Sequence, residues 1–236
     1  MKTEGPARQQ ERAELILNVA AEQLIRWGYK RVTMNDIAQQ AGIGTGTIYL
    51  HWKTKETLYQ VVMLREILAV WNMLLQRMRQ DHREFYPHRM LRSVLLISMQ
   101  RPITRAIFTG DNDILGKLVQ SKFALQTRMV RTTDEFVIFL RDQGLMNTDL
   151  TVHMQQYALS AAVTGFCLVD PLIAETDRVS LEERVDALAH VIRHSFEPPE
   201  LVADDVMREE VAPRMLPFFE KIVTDISQQL QKAMSL

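Results

Sequence analysis

The sequence predicts an all-α protein, and two observations lead to that fold class. Apolar residues recur at intervals of three and four along most of the chain, and no segment sustains the period-two alternation of a half-buried strand. The breaks between periodic segments coincide with glycine, proline or helix-capping residues. The chain has 236 residues, 47% hydrophobic and 24% charged, which is typical of a globular protein of one large or two ordinary domains.

The first predicted helix has one apolar face and ends at Gly28. Its apolar positions step by three and four through Ala13, Leu17, Ala20, Leu24 and Trp27. Thr33 and Asp36 then form an S/T-x-x-D capping signature, in which the threonine hydroxyl accepts from the first backbone N–H groups of a helix. This signature predicts a second, short helix that begins directly after Thr33.

A glycine turn and a third helix complete the N-terminal pattern. Gly42 can end the second helix because glycine adopts positive φ without steric cost. The third helix is predicted over Thr45–His51, with Ile48 facing inward. A helix, a short glycine turn and a second helix form the arrangement that places a recognition helix in the major groove of DNA. We therefore predict a three-helix DNA-binding domain over residues 1–57.

A long helix begins the second predicted domain, residues 58–236. Thr54 caps this helix, which is predicted to run to about Gln80 with more than one buried stripe. At a rise of 1.5 Å per residue, roughly 26 residues make a rod of about 39 Å, long enough to join two domains.

Proline, glycine and capping residues divide the rest of the chain into further helices. Pro87 fits the first turn of a helix through Met99, and Pro102 forces a break after it. Further helices are predicted over residues 114–143, 150–169, 181–196 and 202–234. Their boundary signals are Gly144, a cap at Asn147 or Thr148, the Asp170-Pro171 pair, a Ser180/Glu183 capping box, and interruptions at Pro213 and Pro217.

An ordered series of short motifs links the N-terminal segment to a known family. The motifs are Ile16-Leu17 with Ala20 and Leu24, Gly28-Tyr29, Thr33 with Asp36-Ile37-Ala38, Ala41-Gly42-Ile43, Gly46-Thr47-Ile48-Tyr49, and Lys55-Glu56 with Leu58-Tyr59. Over roughly residues 10–62 the chain closely resembles the DNA-binding domain of the TetR family of bacterial transcriptional regulators. Gly44 departs from the family's usual serine, and His51-Trp52 replaces its usual His-Phe or Tyr-Phe; Trp52 is expected to keep the aromatic's core role.

The resemblance implies which residues face DNA. They are Thr33, Gly44, Thr45, Gly46, Thr47, Tyr49, Leu50, His51 and Lys55. Threonine hydroxyls can bond to bases or phosphate, and Leu50 can touch a thymine methyl group. Tyr49, His51 and Lys55 are expected at the phosphate backbone. Core packing is the alternative for Tyr49, but Ile48 and Trp52 already fill the buried positions of this helix, which favours the DNA contact.

For residues 58–236 the resemblance implies a helical ligand-binding and dimerisation domain. Two copies are expected to pair through the helices near 150–169 and 181–196, where Ala158, Ala161, Ala162 and Gly165 permit close packing. Such a homodimer would read both halves of a palindromic operator in double-stranded DNA. An unknown small-molecule effector, apolar or amphipathic, is expected to release the regulator, most simply a repressor. The sequence assigns no residue to the effector pocket and no role to residues 202–234.

Charge and cysteine content agree with these expectations. Residues 1–55 hold eight Lys/Arg against five acidic residues, and the remainder holds 20 against 24. A basic head on a mildly acidic body fits one-sided docking on DNA. The single cysteine, Cys167, has no basic neighbour, suits a reducing cytoplasm and is expected to be buried. No apolar signal region or run of bilayer-crossing length is apparent, so no membrane association is expected.

No catalytic, cofactor or metal site is predicted. The chain lacks a Ser-His-Asp or Cys-His constellation and paired carboxylates in an apolar context. His190 and His194 lie at i and i+4, with Asp186 and Glu182 before them, but a solvated helix face is the more common meaning of this spacing. Two other classes stay open: a helical carrier of small molecules or lipids with an unused helix-turn-helix, and a DNA binder without an effector.

Overall fold

A computed structural model describes residues 6–118 and 134–234, and it contains no strand in either range. The α-helices are α1 (Pro6–Arg31), α2 (Met34–Gln40), α3 (Thr45–His51), α4 (Lys55–Gln80), α5 (Pro87–Gln100), α6 (Pro102–Thr109), α7 (Asn112–Leu115), α8 (residues 134–142), α9 (Val152–Leu168), α10 (Leu181–Phe196), α11 (Asp204–Val206) and α12 (Ala212–Met234). Short 3-10 helices cover His82–Phe85, Asp170–Leu172 and Glu175–Asp177, and a π-helical turn covers Met207–Val211. The predicted all-α fold class is confirmed.

Internal contacts divide the described residues into two compact units. The first contains residues 6–69, 102–118 and 223–234, and the second contains residues 70–101 and 134–222. Both α4 and α12 contribute residues to both units. The grouping differs from the predicted domain limit after residue 57, because residues 102–118 and the end of α12 pack with the N-terminal helices. The functional limit itself stays a prediction.

The first unit has one hydrophobic core under α1, α2, α3 and the beginning of α4. Its fully buried side chains include Ile16, Leu17, Leu24, Ile37, Ile48, Leu58 and Tyr59. Gln23 joins α1 to α2, since its Nε2 donates to the Asp36 carbonyl (3.1 Å) and to Gln40 Oε1 (2.7 Å). Arg65 joins α4 to α1 through a bond to the Leu17 carbonyl (3.1 Å). These bonds hold the helix-turn-helix on its supporting helices.

Gly28 breaks the helical path of α1 where the sequence predicts its end. Its backbone has φ 73° and ψ 157°, a conformation that is essentially restricted to glycine, and helical turns resume only as far as Arg31. A Cβ placed on Gly28 would lie 2.1 Å from the carbonyl oxygen of Asp113. Glycine is therefore required both by the conformation and by the close approach of α1 to α7.

Two predicted boundaries in the middle of the chain are wrong. The helix predicted over residues 114–143 is interrupted at Gly116, whose φ is 52°, and residues 119–133 lie outside the described residues. Helix α9 is capped by Thr151, whose Oγ1 accepts from Met154 N at 3.2 Å, and not by Asn147 or Thr148. The backbone of Asn147 is engaged elsewhere, because its N–H donates to the Phe196 carbonyl (2.8 Å).

The predicted interruptions at Pro213 and Pro217 are also wrong. Helix α12 contains both prolines and continues to Met234. The π-helical turn Met207–Val211 directly precedes α12. A wide turn of this kind shifts the carbonyl that a regular helix would offer to the missing N–H of Pro213, whereas Pro217 is accommodated inside α12.

In the second unit α5 packs along α10, which also contacts α9. The core of this unit includes Leu95, Ile97, Val185, Leu188, Ile192 and Phe219, all of them buried. Glu197, directly after α10, is buried and accepts a hydrogen bond from the His88 backbone N–H (2.6 Å) at the start of α5. A carboxylate is favourable there because the N-terminus of a helix carries partial positive charge.

Helix α4 corrects the expectation about apolar runs. Among the described helices it alone is long and apolar enough to cross a membrane by length and composition. The core helix of a globular protein has the same two properties. Leu58, Val62 and Leu74 of α4 are fully buried by other parts of the chain, as expected for a core helix.

Candidate nucleic-acid interface

The predicted capping box at the start of α2 is confirmed. Asp36 N donates to Thr33 Oγ1 (3.2 Å), and Thr33 N donates to Asp36 Oδ2 (2.8 Å). The Thr33 hydroxyl also donates to Asp36 Oδ2 at 2.6 Å. These bonds to the Thr33 side chain and backbone hold the pKa of Asp36 below its usual value. Thr33 is thus fixed on an exposed edge of the helix pair.

The turn between α2 and α3 has the predicted glycine geometry. Gly42 has φ 67°, and the next residue, Ile43, donates its N–H to the Ala38 carbonyl at 3.0 Å. Helix α3 covers Thr45–His51, as predicted, and Gly44 occupies its N-cap without a side-chain bond. Thr45 Oγ1 donates to Asn35 Oδ1 (3.0 Å), a bond that ties the start of α3 to α2.

Most of the predicted DNA-facing residues lie on accessible parts of this helix pair. Leu50 is 69% exposed and Tyr49 is 44% exposed, whereas Ile48 is fully buried beneath them. The accessible or half-buried members of the predicted set in and before α3 are Thr33, Gly44, Thr45, Gly46, Thr47, Tyr49 and Leu50. Helix α3 therefore presents hydroxyl groups, an exposed aromatic residue and one apolar side chain to the solvent.

His51 does not share this surface. It is 6% exposed, and its ring lies 5.3 Å from the Trp52 ring. Burial lowers the pKa of His51; a hydrogen bond with the Met234 backbone partly opposes this effect, and the charge of Arg12 adds to it. Because a buried imidazole cannot reach a phosphate group at the surface, we correct the predicted placement of His51 and leave it out of the interface.

Lys55 bonds to the protein itself. Its Nζ donates to the carbonyls of Tyr29 (2.8 Å) and Val32 (2.8 Å), and it lies 4.1 Å from the centre of the Tyr29 ring. Burial lowers the pKa of Lys55, and the nearby charge of Lys117 lowers it further. The ammonium therefore ties the end of α1 to the start of α4, and its contact with DNA stays a prediction.

Trp52 has the predicted core role and also a contact that the sequence analysis missed. The side chain is 3% exposed, and its indole Nε1 donates to the carbonyl of Ala233 at 3.0 Å. The two residues are 181 positions apart, so no local sequence motif predicts this hydrogen bond. Lys53, exposed beside the end of α3, was also left out of the predicted set. The position of Lys53 next to the recognition helix in the sequence could have placed it in that set.

The histidine pair on α10 does not gather a metal-binding set. The rings of His190 and His194 are 4.1 Å apart, but Asp186 Oδ1 accepts from Arg92 Nε at 2.5 Å. No group of three or more potential ligands among His, Cys, Asp and Glu occurs in residues 6–118 and 134–234.

Comparisons with known proteins agree with this geometry. Residues 16–62 match the family model for bacterial regulatory proteins of the tetR family. The chain is 28% identical over 123 residues to the HTH-type transcriptional regulator YhgD of Bacillus subtilis. The aligned segment covers 51% of this chain and 63% of that relative. It is 37% identical over 68 residues to the HTH-type transcriptional repressor KstR2 of Mycolicibacterium smegmatis, covering 29% of this chain and 33% of that protein. The chain thus spans less than two thirds of the length of either relative.

A solved structure extends the likeness beyond the N-terminal segment. The crystal structure of a TetR-family regulator from Mesorhizobium loti superposes with a TM-score of 0.57 at 20% identity, over 81% of this chain and 99% of the other. At this identity the superposition shows a shared fold. Residues 16–62 thus match bacterial regulatory proteins of the tetR family, and over 81% of its length the chain shares the fold of a TetR-family regulator.

Proposed function

We propose that the chain is a one-component transcriptional regulator, acting as a repressor, that binds a palindromic operator in double-stranded DNA through α3. The observation that carries the proposal is the accessible face of α3 on a capped and bonded helix pair. Leu50, 69% exposed, is available to a thymine methyl group, and Thr47 and Tyr49 carry hydroxyls for bases or phosphate. Gly44 and Gly46 add no side chain, so the DNA backbone could approach closely.

A homodimer is the form in which we propose that it binds DNA. Helix α9 contains no Asp, Glu, Lys or Arg, yet Tyr157 is 73% exposed, Met154 54% and Leu168 41%. An apolar helix face of this kind is typical of a protein interface. The occupant that we propose is a second copy of the chain, because exposed Ala161 and Gly165 on the same helix permit close approach. Sedimentation of the full chain tests this directly, and a monomer at micromolar concentration would contradict it.

We further propose a small apolar or amphipathic effector bound by the second unit. Six aromatic side chains of that unit form a cluster in which the centres of contacting rings are 5.2–6.2 Å apart. They are Trp71, Phe85, Phe136, Phe139, Phe218 and Phe219. Several of them are half-buried and so remain accessible to an apolar molecule. An effector releases DNA if it binds more tightly to the form whose recognition helices are wrongly spaced. A change in the tilt of α4, which is shared by both units, could alter that spacing.

Selection of binding sites from a random double-stranded DNA pool tests the function. We expect enrichment of a palindrome bound at roughly 10⁻⁸–10⁻¹¹ M at physiological salt. Affinities for the selected and for a scrambled duplex are then measured at two salt concentrations, since binding to phosphate alone is uniform and steeply salt-sensitive. Equal binding to all DNA sequences, or no binding, would instead favour a helical carrier of small molecules or lipids. A selected palindrome that no apolar molecule releases would favour a DNA binder without an effector.

The proposed place of action is the cytoplasm, where a regulator meets the DNA. The single cysteine suits that reducing compartment, and it is buried, as expected from the sequence.

A further inference from the structure

The C-terminal end of α12 is part of the first unit, together with the helix-turn-helix. Leu230 and Met234 are each 8% exposed and belong to the same hydrophobic core as Ile48 and Trp52. Residues 223–234 lie in the first unit, whereas the preceding residues of α12 lie in the second. After α4, α12 is thus another helix that supplies residues to both units.

The contact between α12 and α3 has the chemistry of a helix cap. Ala233 is the penultimate residue of α12, so its carbonyl is among the last four, which have no N–H partner within the helix. The Trp52 indole N–H donates to this carbonyl at 3.0 Å, at the helix end that carries partial negative charge. The indole thereby satisfies a partly buried acceptor at the end of the helix.

A second contact reaches α3 at its last residue. The His51 side chain is buried beside the Met234 backbone, and the His51 and Trp52 rings are tilted by 33° against each other. The last residue of α3 and its C-cap are therefore both held by the end of α12. Neither of these two side chains belongs to the exposed face of α3.

We propose that residues 230–234 position the recognition helix, with Trp52 as the positioning residue and the Ala233 carbonyl as its anchor. The positioning itself does not depend on the proposed DNA-binding function. Only the expected effect on DNA affinity rests on that function. If the end of α12 is lost or moves, the C-terminal end of α3 loses two of its contacts. The side chains of Tyr49 and Leu50 then sample a range of orientations, and specific binding weakens more than binding to phosphate alone.

Two changes to the full chain test the inference, alone and together. Trp52→Phe keeps an aromatic ring in the core and removes the donor to Ala233, and a chain ending at Gln231 removes the acceptor. Trp27→Phe is the matched control, because Trp27 is 50% exposed in the same unit. Amide hydrogen exchange of residues 44–52 reports the positioning, and binding to the selected and scrambled duplexes reports its consequence.

We expect exchange in residues 44–52 to become about tenfold faster in Trp52→Phe and in the shortened chain. Affinity for the selected duplex should fall about tenfold with the salt dependence unchanged, and Trp27→Phe should alter neither. The two changes combined should have little more effect than the shortening alone, since the shortening already removes the acceptor of the Trp52 bond. Unchanged exchange in both variants, or fully additive effects, would overturn the inference. If exchange responds as expected but the parent chain selects no DNA sequence, the positioning stands and the proposed function fails.

Discussion

Replacing Lys55 by methionine separates an internal role of this side chain from a role in DNA binding. Lys55→Met keeps an apolar stem beside the Tyr29 ring but leaves the carbonyls of Tyr29 and Val32 without their donor. A hydrogen bond to a charged group contributes about 1.5–3 kcal/mol to stability. Lys55 is only partly buried, so water can replace some of this energy. We therefore expect the two bonds together to lower the free energy of unfolding by roughly 2–4 kcal/mol when they are lost.

Urea unfolding of the full chain measures this loss, with amide exchange near the ends of α1 and α4 as the local probe. Lys55→Arg is the control that keeps the positive charge while altering the geometry of the two bonds. In parallel, operator affinity is measured over a range of salt concentrations. One lost phosphate contact lowers the slope of log affinity against log salt by about 1.

The two measurements give different results for the two roles. An unchanged unfolding free energy in Lys55→Met, together with a smaller salt slope, would refute the reasoning and make Lys55 a phosphate contact alone. A loss of stability with an unchanged slope is the expected result. A loss of both would mean that the third N–H of the ammonium also reaches the DNA backbone.

Three further predictions concern the helix-turn-helix and its support. Leu50→Ala should change the base preference in a repeated site selection, and equal losses across all sequences would contradict base reading by this side chain. Gly28→Ala should lower the urea midpoint far more than Gly42→Ala, because both have positive φ but only Gly28 would bring a Cβ against a backbone carbonyl; equal losses would contradict this. The lowered pKa of Asp36 implies stability that is present above the unfolded value near 4 and lost as pH falls through the folded value. The stability advantage of the parent chain over Asp36→Asn should therefore be constant above about pH 5 and shrink as the pH falls below about 4, and a difference that does not change with pH would contradict the Thr33 box.

The parts of the structure that the sequence predicted well depend on local chemistry. The capping boxes at Thr33/Asp36 and Ser180/Glu183 are both present, because a hydroxyl and a carboxylate three residues apart can satisfy each other's backbone N–H groups in any context. The bounds of α3 followed from the same kind of signal, a glycine turn before it and the spacing of Ile48 within it. The fold class followed from the helical period.

The parts that the sequence did not predict depend on distant contacts. His51 was expected at the DNA surface, but it is buried near Met234, a residue more than 180 positions away. The bond from Trp52 to Ala233 and the internal bonds of Lys55 likewise join segments that are separate in the chain. Local pattern also failed around Gly116, because apolar periodicity continues on both sides of the break.

The burial of Cys167 makes the protein convenient for distance measurements. It is the single cysteine of the chain and is 3% exposed, so thiol-reactive spin labels would react slowly with it. A cysteine introduced at the exposed position of Lys53 would then be the main labelling site. In a two-fold dimer, each protomer would carry one label beside its own recognition helix. The distance between these labels, recorded with and without candidate effectors, would follow the separation of the half-sites, about 34–36 Å for one turn of DNA, without any DNA in the sample.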